Sequence, residues 1–180
     1  MKAWHFTSDT LRDGRPVPAD GVVLRHTGKM VLCQSGLHAS PTPFEALQYA
    51  PGPHLFLVEC GGKIICGTGE QKDKLICSER TIIARMDSTP LLREFARMQA
   101  LSVVHLWEPQ QVVLDYLMTG DEDIRASAWA AAWAAPAASA WAGASAWAAA
   151  RAAAAAAAGA SASFNQSVYE CFADYLGERT

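Results

Sequence analysis

Residues 75–104 read LICSERTIIARMDSTPLLREFARMQALSVV. Up to Met86 the stretch is β-branched and apolar with no helical spacing, which predicts one long strand or two short ones. After Asp87 the pattern changes. Leu91, Leu92, Phe95, Met98, Leu101 and Val104 recur every three or four residues, the mark of an amphipathic helix, and Thr89-Pro90 supplies a start signal for it. A strand-rich first part followed by a helical second part predicts an α+β protein, not alternating βαβ units.

Working back toward the N-terminus, HLFLVEC (54–60) is a strongly apolar strand. Gly61-Gly62 turns it into a further short strand over 63–66. KAWHFT (2–7) is an aromatic-rich strand. Val22–Arg25 and Lys29–Cys33 are expected to form a hairpin turned at His26-Thr27-Gly28. Residues 36–40 form a strand or loop. Pro41 and Pro43 open a short helix over Phe44–Tyr49, with Ser40 or Thr42 as N-cap. Residues 1–87 are therefore read as a small, mostly antiparallel sheet with one short helix.

Working forward, Pro109 opens a second helix with Val112, Val113, Tyr116 and Leu117 inward, closed at Thr119-Gly120. From residue 126 to 162 every even position is alanine except Pro136, and the only charge is Arg151. Strict alternation is a strand signal, but alanine is the best helix former and is depleted from strands. A helical appendage is predicted over 121–180, broken near Pro136, Gly143 and Gly159, its buried area supplied by the tryptophans. Phe164–Leu176 regains an amphipathic pattern and is expected to pack on the body. The expected division is a domain over 1–120, with a helical pair over 88–120, and the appendage.

The chain has 180 residues and a formal net charge of −3. That charge gives no bulk electrostatic case for nucleic acid or an anionic membrane. The tail tryptophans could stack on bases, but without a cationic groove stacking gives little affinity, which argues against nucleic acid. The alanine-rich stretch lacks Leu, Ile, Val and Phe, so no membrane span is expected. Met1–His5 has no apolar run of the signal-peptide kind. The five cysteines contain no CxxC pair, so neither a disulfide framework nor a metal site is expected, and reduced, buried cysteines of a cytoplasmic protein are.

The most site-like segment is CQSGLHAS (33–40) with PFEALQYA (43–50). His5, His38 and Cys33 could gather as a small polar cluster, although no spacing marks it as a metal site. Glu45 falls in the first turn of its helix, where a carboxylate offsets the dipole without any function. Gly67-Thr68-Gly69 is not a phosphate loop, because no Gly-Lys-Ser/Thr follows. The serines lack a nucleophile elbow.

GLHAS-PTPFEALQYAPG, with the opening KAWHF and the later DKLICSERTIIARMD, resembles an uncharacterised family of phage and prophage proteins with repetitive Ala/Trp tails. The resemblance implies a viral or prophage origin and a bacterial cytoplasm. A second resemblance, to ADP-ribosyltransferases, is carried by His5 on the first strand, Ser40 before the first helix, and Glu79 beside a later strand. It implies NAD as cofactor, with His5 holding the ribose, Ser40 shaping the nicotinamide pocket and Glu79 stabilising an oxocarbenium-like centre. Ala39-Ser40 stands where that family has a three-residue signature, and Glu79 precedes the strand Thr81–Arg85.

The leading expectation is a non-catalytic accessory protein without a cofactor. It binds a protein partner such as a host defence or regulatory factor, through His38, Tyr49, Trp129, Trp133, Trp141 and Trp147. An NAD-consuming transferase is the alternative, and a self-assembling structural protein, a homo-oligomer, the second. Whether the chain is an enzyme stays open.

Overall fold

The computed structural model describes residues 1–106, 108–134 and 157–177. It is an α+β protein. An antiparallel sheet of five strands holds β1 (Lys2–Thr7), β2 (Val23–Arg25), β3 (Leu37–Ala39), β4 (His54–Cys66) and β5 (Leu75–Asp87). The helices among the described residues are α1 (Pro43–Leu47), α2 (Thr89–Ser102), α3 (Gln111–Thr119), α4 (Glu122–Ala134), α5 (Ala157–Cys171) and α6 (Ala173–Leu176). None of them is long and apolar enough to cross a membrane.

The frame of the sheet is the β4–β5 hairpin, paired from His54↔Asp87 to Cys66↔Leu75. The expected break at Gly61-Gly62 is a bulge within one continuous strand. Pairing is irregular between Gly61 and Ile64, and Gly62 adopts φ 64°, a left-handed conformation that glycine takes at no steric cost. β1 pairs with the first half of β4, Lys2↔Glu59 to Thr7↔His54. The far edge of β5 is shared, Val23–Arg25 against 79–81 and Leu37–Ala39 against 75–77. Just beyond β3, Ser40 and Trp4 exchange backbone hydrogen bonds of 2.8 and 2.9 Å. The sheet thus curls back, and the end of β3 meets β1.

Two expectations in this region give way. Val22–Arg25 and Lys29–Cys33 do not form a hairpin, because β2 gives its hydrogen bonds to β5. Residues 31–35 instead close a tight loop, with Val31 N–H to Ser35 O at 3.0 Å. The first helix ends at Leu47, and its N-cap is Thr42 in a reciprocal capping box with Glu45.

The unbroken apolar run of HLFLVEC reflects burial on both faces. Phe56, Val58 and Cys60 enter a core cluster with Ala3, Ala39, Leu75, Cys77 and Ile82. Leu55 and Leu57, also fully buried, lie in register with Phe6 and Trp4. The terminal helices supply the cover that the sequence anticipated. Trp4 meets Phe172 edge-on with centroids 5.1 Å apart, and Phe44 meets Phe164 at 6.1 Å. Asn165 Oδ1 accepts the Phe44 N–H at 2.8 Å, satisfying a first-turn donor of α1 that has no intrahelical partner.

The chain divides into two compact units, Met1–Thr89 with Ser163–Thr180, and Pro90–Ala162. The division therefore differs from the expected domain over 1–120 and appendage over 121–180. α2 and α3 belong to the second unit, while Phe164, Val168 and Phe172 complete the core of the first. Within the second unit, Ala128 is buried beside Val113 and Leu117, and Arg97 Nη1 donates to the Leu117 carbonyl at 2.7 Å. The tail is helical where described. Within α4 the buried residue is Ala128, at 3% exposure, while Trp129 is 67% exposed. Trp129 therefore does not supply the burial expected of it; small side chains let α4 approach α3 closely. Trp141 and Trp147 lie outside the described residues, as does the side chain of Trp133.

Candidate functional site

β1 is an edge strand over part of its length, and β3 and α1 converge on it. Between them lies a cavity of about 240 Å³, lined by Trp4, His5, Phe6, Arg12, Cys33, His38, Ala39, Ser40, Ala46, Tyr49 and Lys74. Each element delivers its residues for a local reason. Strand alternation turns His5 to the opposite face of β1 from the buried Trp4 and Phe6, and all three border the cavity. The Ser40–Trp4 bridge fixes residues 38–40 alongside β1. The Thr42–Glu45 capping box aims α1 so that Ala46 and Tyr49 close one wall. Glu45 thus carries the start of this helix, beyond the dipole effect expected of it.

His5, His38, Ser40 and Tyr49 therefore come together, and so does Cys33, the third member of the anticipated cluster. Glu79 does not. It lies on β5, where Oε1 accepts the Arg25 Nε–H at 3.1 Å, and it is absent from the cavity lining. The three residues of the transferase resemblance are not assembled in one place. Among the described residues, no group of three His, Cys, Asp or Glu side chains is placed to hold a metal ion.

The electrostatics are cationic. Burial holds the His5 pKa well below its ordinary value, assisted by Arg80 and then His38. His38 is lowered first by burial and further by Arg12, Arg80 and Lys74, against the Gly36 backbone, which pulls upward. Both imidazoles are thus neutral at pH 7. His38 Nε2 is buried and meets no hydrogen-bond partner among the described residues.

Arg80, 7% exposed, donates from Nη1 to the His38 carbonyl at 2.5 Å, and no carboxylate among the described residues pairs with it. The thiols of Cys77 and Cys60 offset part of the burial that depresses its pKa. Cys60 and Cys77 are buried, whereas Cys33, Cys66 and Cys171 are exposed, so only two of the five follow the expectation of buried thiols. Cys33 takes φ 66°, an uncommon left-handed conformation for a residue with a Cβ. At the mouth, Lys74 Nζ sits 4.7 Å from the centroid of the Tyr49 ring, and the Tyr49 hydroxyl donates to Asp73.

Sequence reasoning did not single out Arg12, Lys74 or Arg80. Arg80 carried a signal, since it shares strand parity with the buried Ile76 and Ile82. Arg12 and Lys74 lie in connecting segments and carried none.

No curated protein and no solved structure matches the chain. Residues 1–94 match the model of a family described as a domain of unknown function, DUF7666. That span covers more than half of the 180 residues and contains every residue lining the cavity. The chain therefore belongs to the DUF7666 family.

Proposed function

We propose that the sheet unit is a small-molecule-recognition module whose binding site is the cavity between β1, β3 and α1. The observation that carries this reading is the convergence of His5, His38, Ser40 and Tyr49 on one concave site, from segments far apart in the sequence. Concave sites with apolar walls and a few converging polar groups are the ordinary setting for small ligands. The transferase alternative rests on His5 and Ser40 alone, since Glu79 is engaged by Arg25 on β5. Amide chemical shifts of the full chain, titrated with mixtures of charged and neutral small metabolites, test the proposal. Changes concentrated at residues 4–6, 38–40 and 46–49 are expected. Saturable binding that leaves those residues unmoved would place the site elsewhere and reject it.

A second reading is docking on a protein partner, or on another copy of the chain, through the helical tail. It is the role expected of a phage or prophage accessory protein. The observation in its favour is Trp129, 67% exposed on α4, a large apolar side chain of the kind that anchors interfaces.

A further inference from the structure

The charges around the cavity narrow the class of ligand it can take. Arg12 lines the site, is exposed, and makes no hydrogen bond or ion pair among the described residues. Lys74 lines it from the other segment of the mouth. Its ammonium pKa is held up first by the Tyr49 hydroxyl and then by Asp73. No Asp or Glu is among the described lining residues. The Asp73 carboxylate accepts the Tyr49 hydroxyl and lies 3.9 Å from Lys74 Nζ, so it offsets only part of one cation. Arg80, buried without a carboxylate, acts on both imidazoles as well. The site therefore concentrates positive charge that the described residues leave largely uncompensated, and an anion is its electrostatic complement.

Size and walls say more. The lining includes the apolar Trp4, Phe6, Ala39 and Ala46, which suits an apolar body better than a bare hydrated ion. The volume of about 240 Å³ falls just below the roughly 300–1,000 Å³ of ordinary small-molecule sites. It admits one ring and an anionic arm, and a dinucleotide exceeds it. Arg12, Lys74 and Arg80, less the Asp73 carboxylate, leave a net two positive charges around the site, which match a group of two negative charges. A phosphate monoester carries about −1.5 to −2 at pH 7, whereas a carboxylate carries one.

We propose that the cavity takes a phosphate monoester of a small ring compound, with the phosphate between Arg12 and Lys74 and the ring against Trp4 and Phe6. This rests on the reading of the cavity as a binding site.

The probes are phenyl phosphate, inorganic phosphate, benzoate and benzamide, titrated calorimetrically into the full chain. Phenyl phosphate is expected to bind about tenfold or more tighter than any of the other three. Arg12→Ala should weaken it by about tenfold and leave the melting temperature of the free protein unchanged, because Arg12 has no partner to lose.

Benzoate binding as tightly as phenyl phosphate would overturn the dianion. Inorganic phosphate binding as tightly would overturn the ring. Benzamide binding alone would overturn the anion while leaving the site standing. If none of the four binds at millimolar concentration, the inference and the reading beneath it both fall.

Discussion

At the scale of single residues, the two neutral histidines tie stability to pH. The folded pKa of His5 lies well below 6.5, and that of His38 below 6.5, whereas both are close to 6.5 in the unfolded chain. Above that value neither state binds the proton and nothing is lost. Below it the unfolded chain takes up protons that the folded chain refuses, so stability falls until the folded pKa is reached. The cost for the buried His5 is at most about 1.4 kcal/mol per pH unit. The melting temperature should therefore drop between pH 7 and pH 5.5, and His5→Gln should flatten the drop. Equal slopes for the two proteins would show that His5 does not titrate in this way. The structure also explains why His5 was visible in the sequence and Arg80 was not. A histidine among aromatics on a short strand stands out, while an arginine in SERT reads as a solvated edge until it is seen between β4 and β2 with its guanidinium on the His38 carbonyl.

At the scale of elements, α5 decides how complete the sheet unit is. Phe164 and Val168 are fully buried, Phe164 faces Phe44, and Asn165 holds the first turn of α1. Deleting a buried phenyl ring removes its transfer free energy and leaves a cavity. Phe164→Ala is expected to lower unfolding free energy by about 3–5 kcal/mol, measured by urea titration. A cost below about 1 kcal/mol would mean that α5 does not cover the sheet in solution. The loss should extend to the candidate site, because α1 carries Ala46 and is followed by Tyr49. The amphipathic pattern of Phe164, Val168 and Phe172 marked this helix in the sequence. Its target was not marked, since nothing in an amphipathic stripe says which apolar face it meets.

At the scale of the whole molecule, the proposed docking role of the tail makes its own prediction. A tryptophan two-thirds exposed on α4 offers roughly 100–170 Å² to a second copy or another protein, two-thirds of what a whole aromatic side chain can bury. If self-association uses it, sedimentation of the full chain should be concentration-dependent, and Trp129→Ala should shift the equilibrium toward monomer by about tenfold or more. A chain that stays monomeric at every concentration would remove self-association and leave a different protein as the occupant of that surface.

The sequence by itself determined the α+β class, the positions of β1, β4 and β5, the helix starting after Asp87, and the helical character of the described tail. These follow from short-range physics: period-two and period-3.6 burial, alanine propensity and proline at helix starts all act within a few residues. It also brought forward His5, His38, Cys33, Ser40 and Tyr49 as site-like. Only the tertiary structure decided that β2 pairs with β5 instead of turning back on residues 29–33, that Ala128 and not Trp129 is buried, and that Glu79 goes to Arg25 while Arg12 and Lys74 join the histidines. Each of those outcomes is a choice among distant partners of similar local chemistry. The choice is settled by which backbone edges and apolar faces the β4–β5 hairpin leaves to be paired and covered.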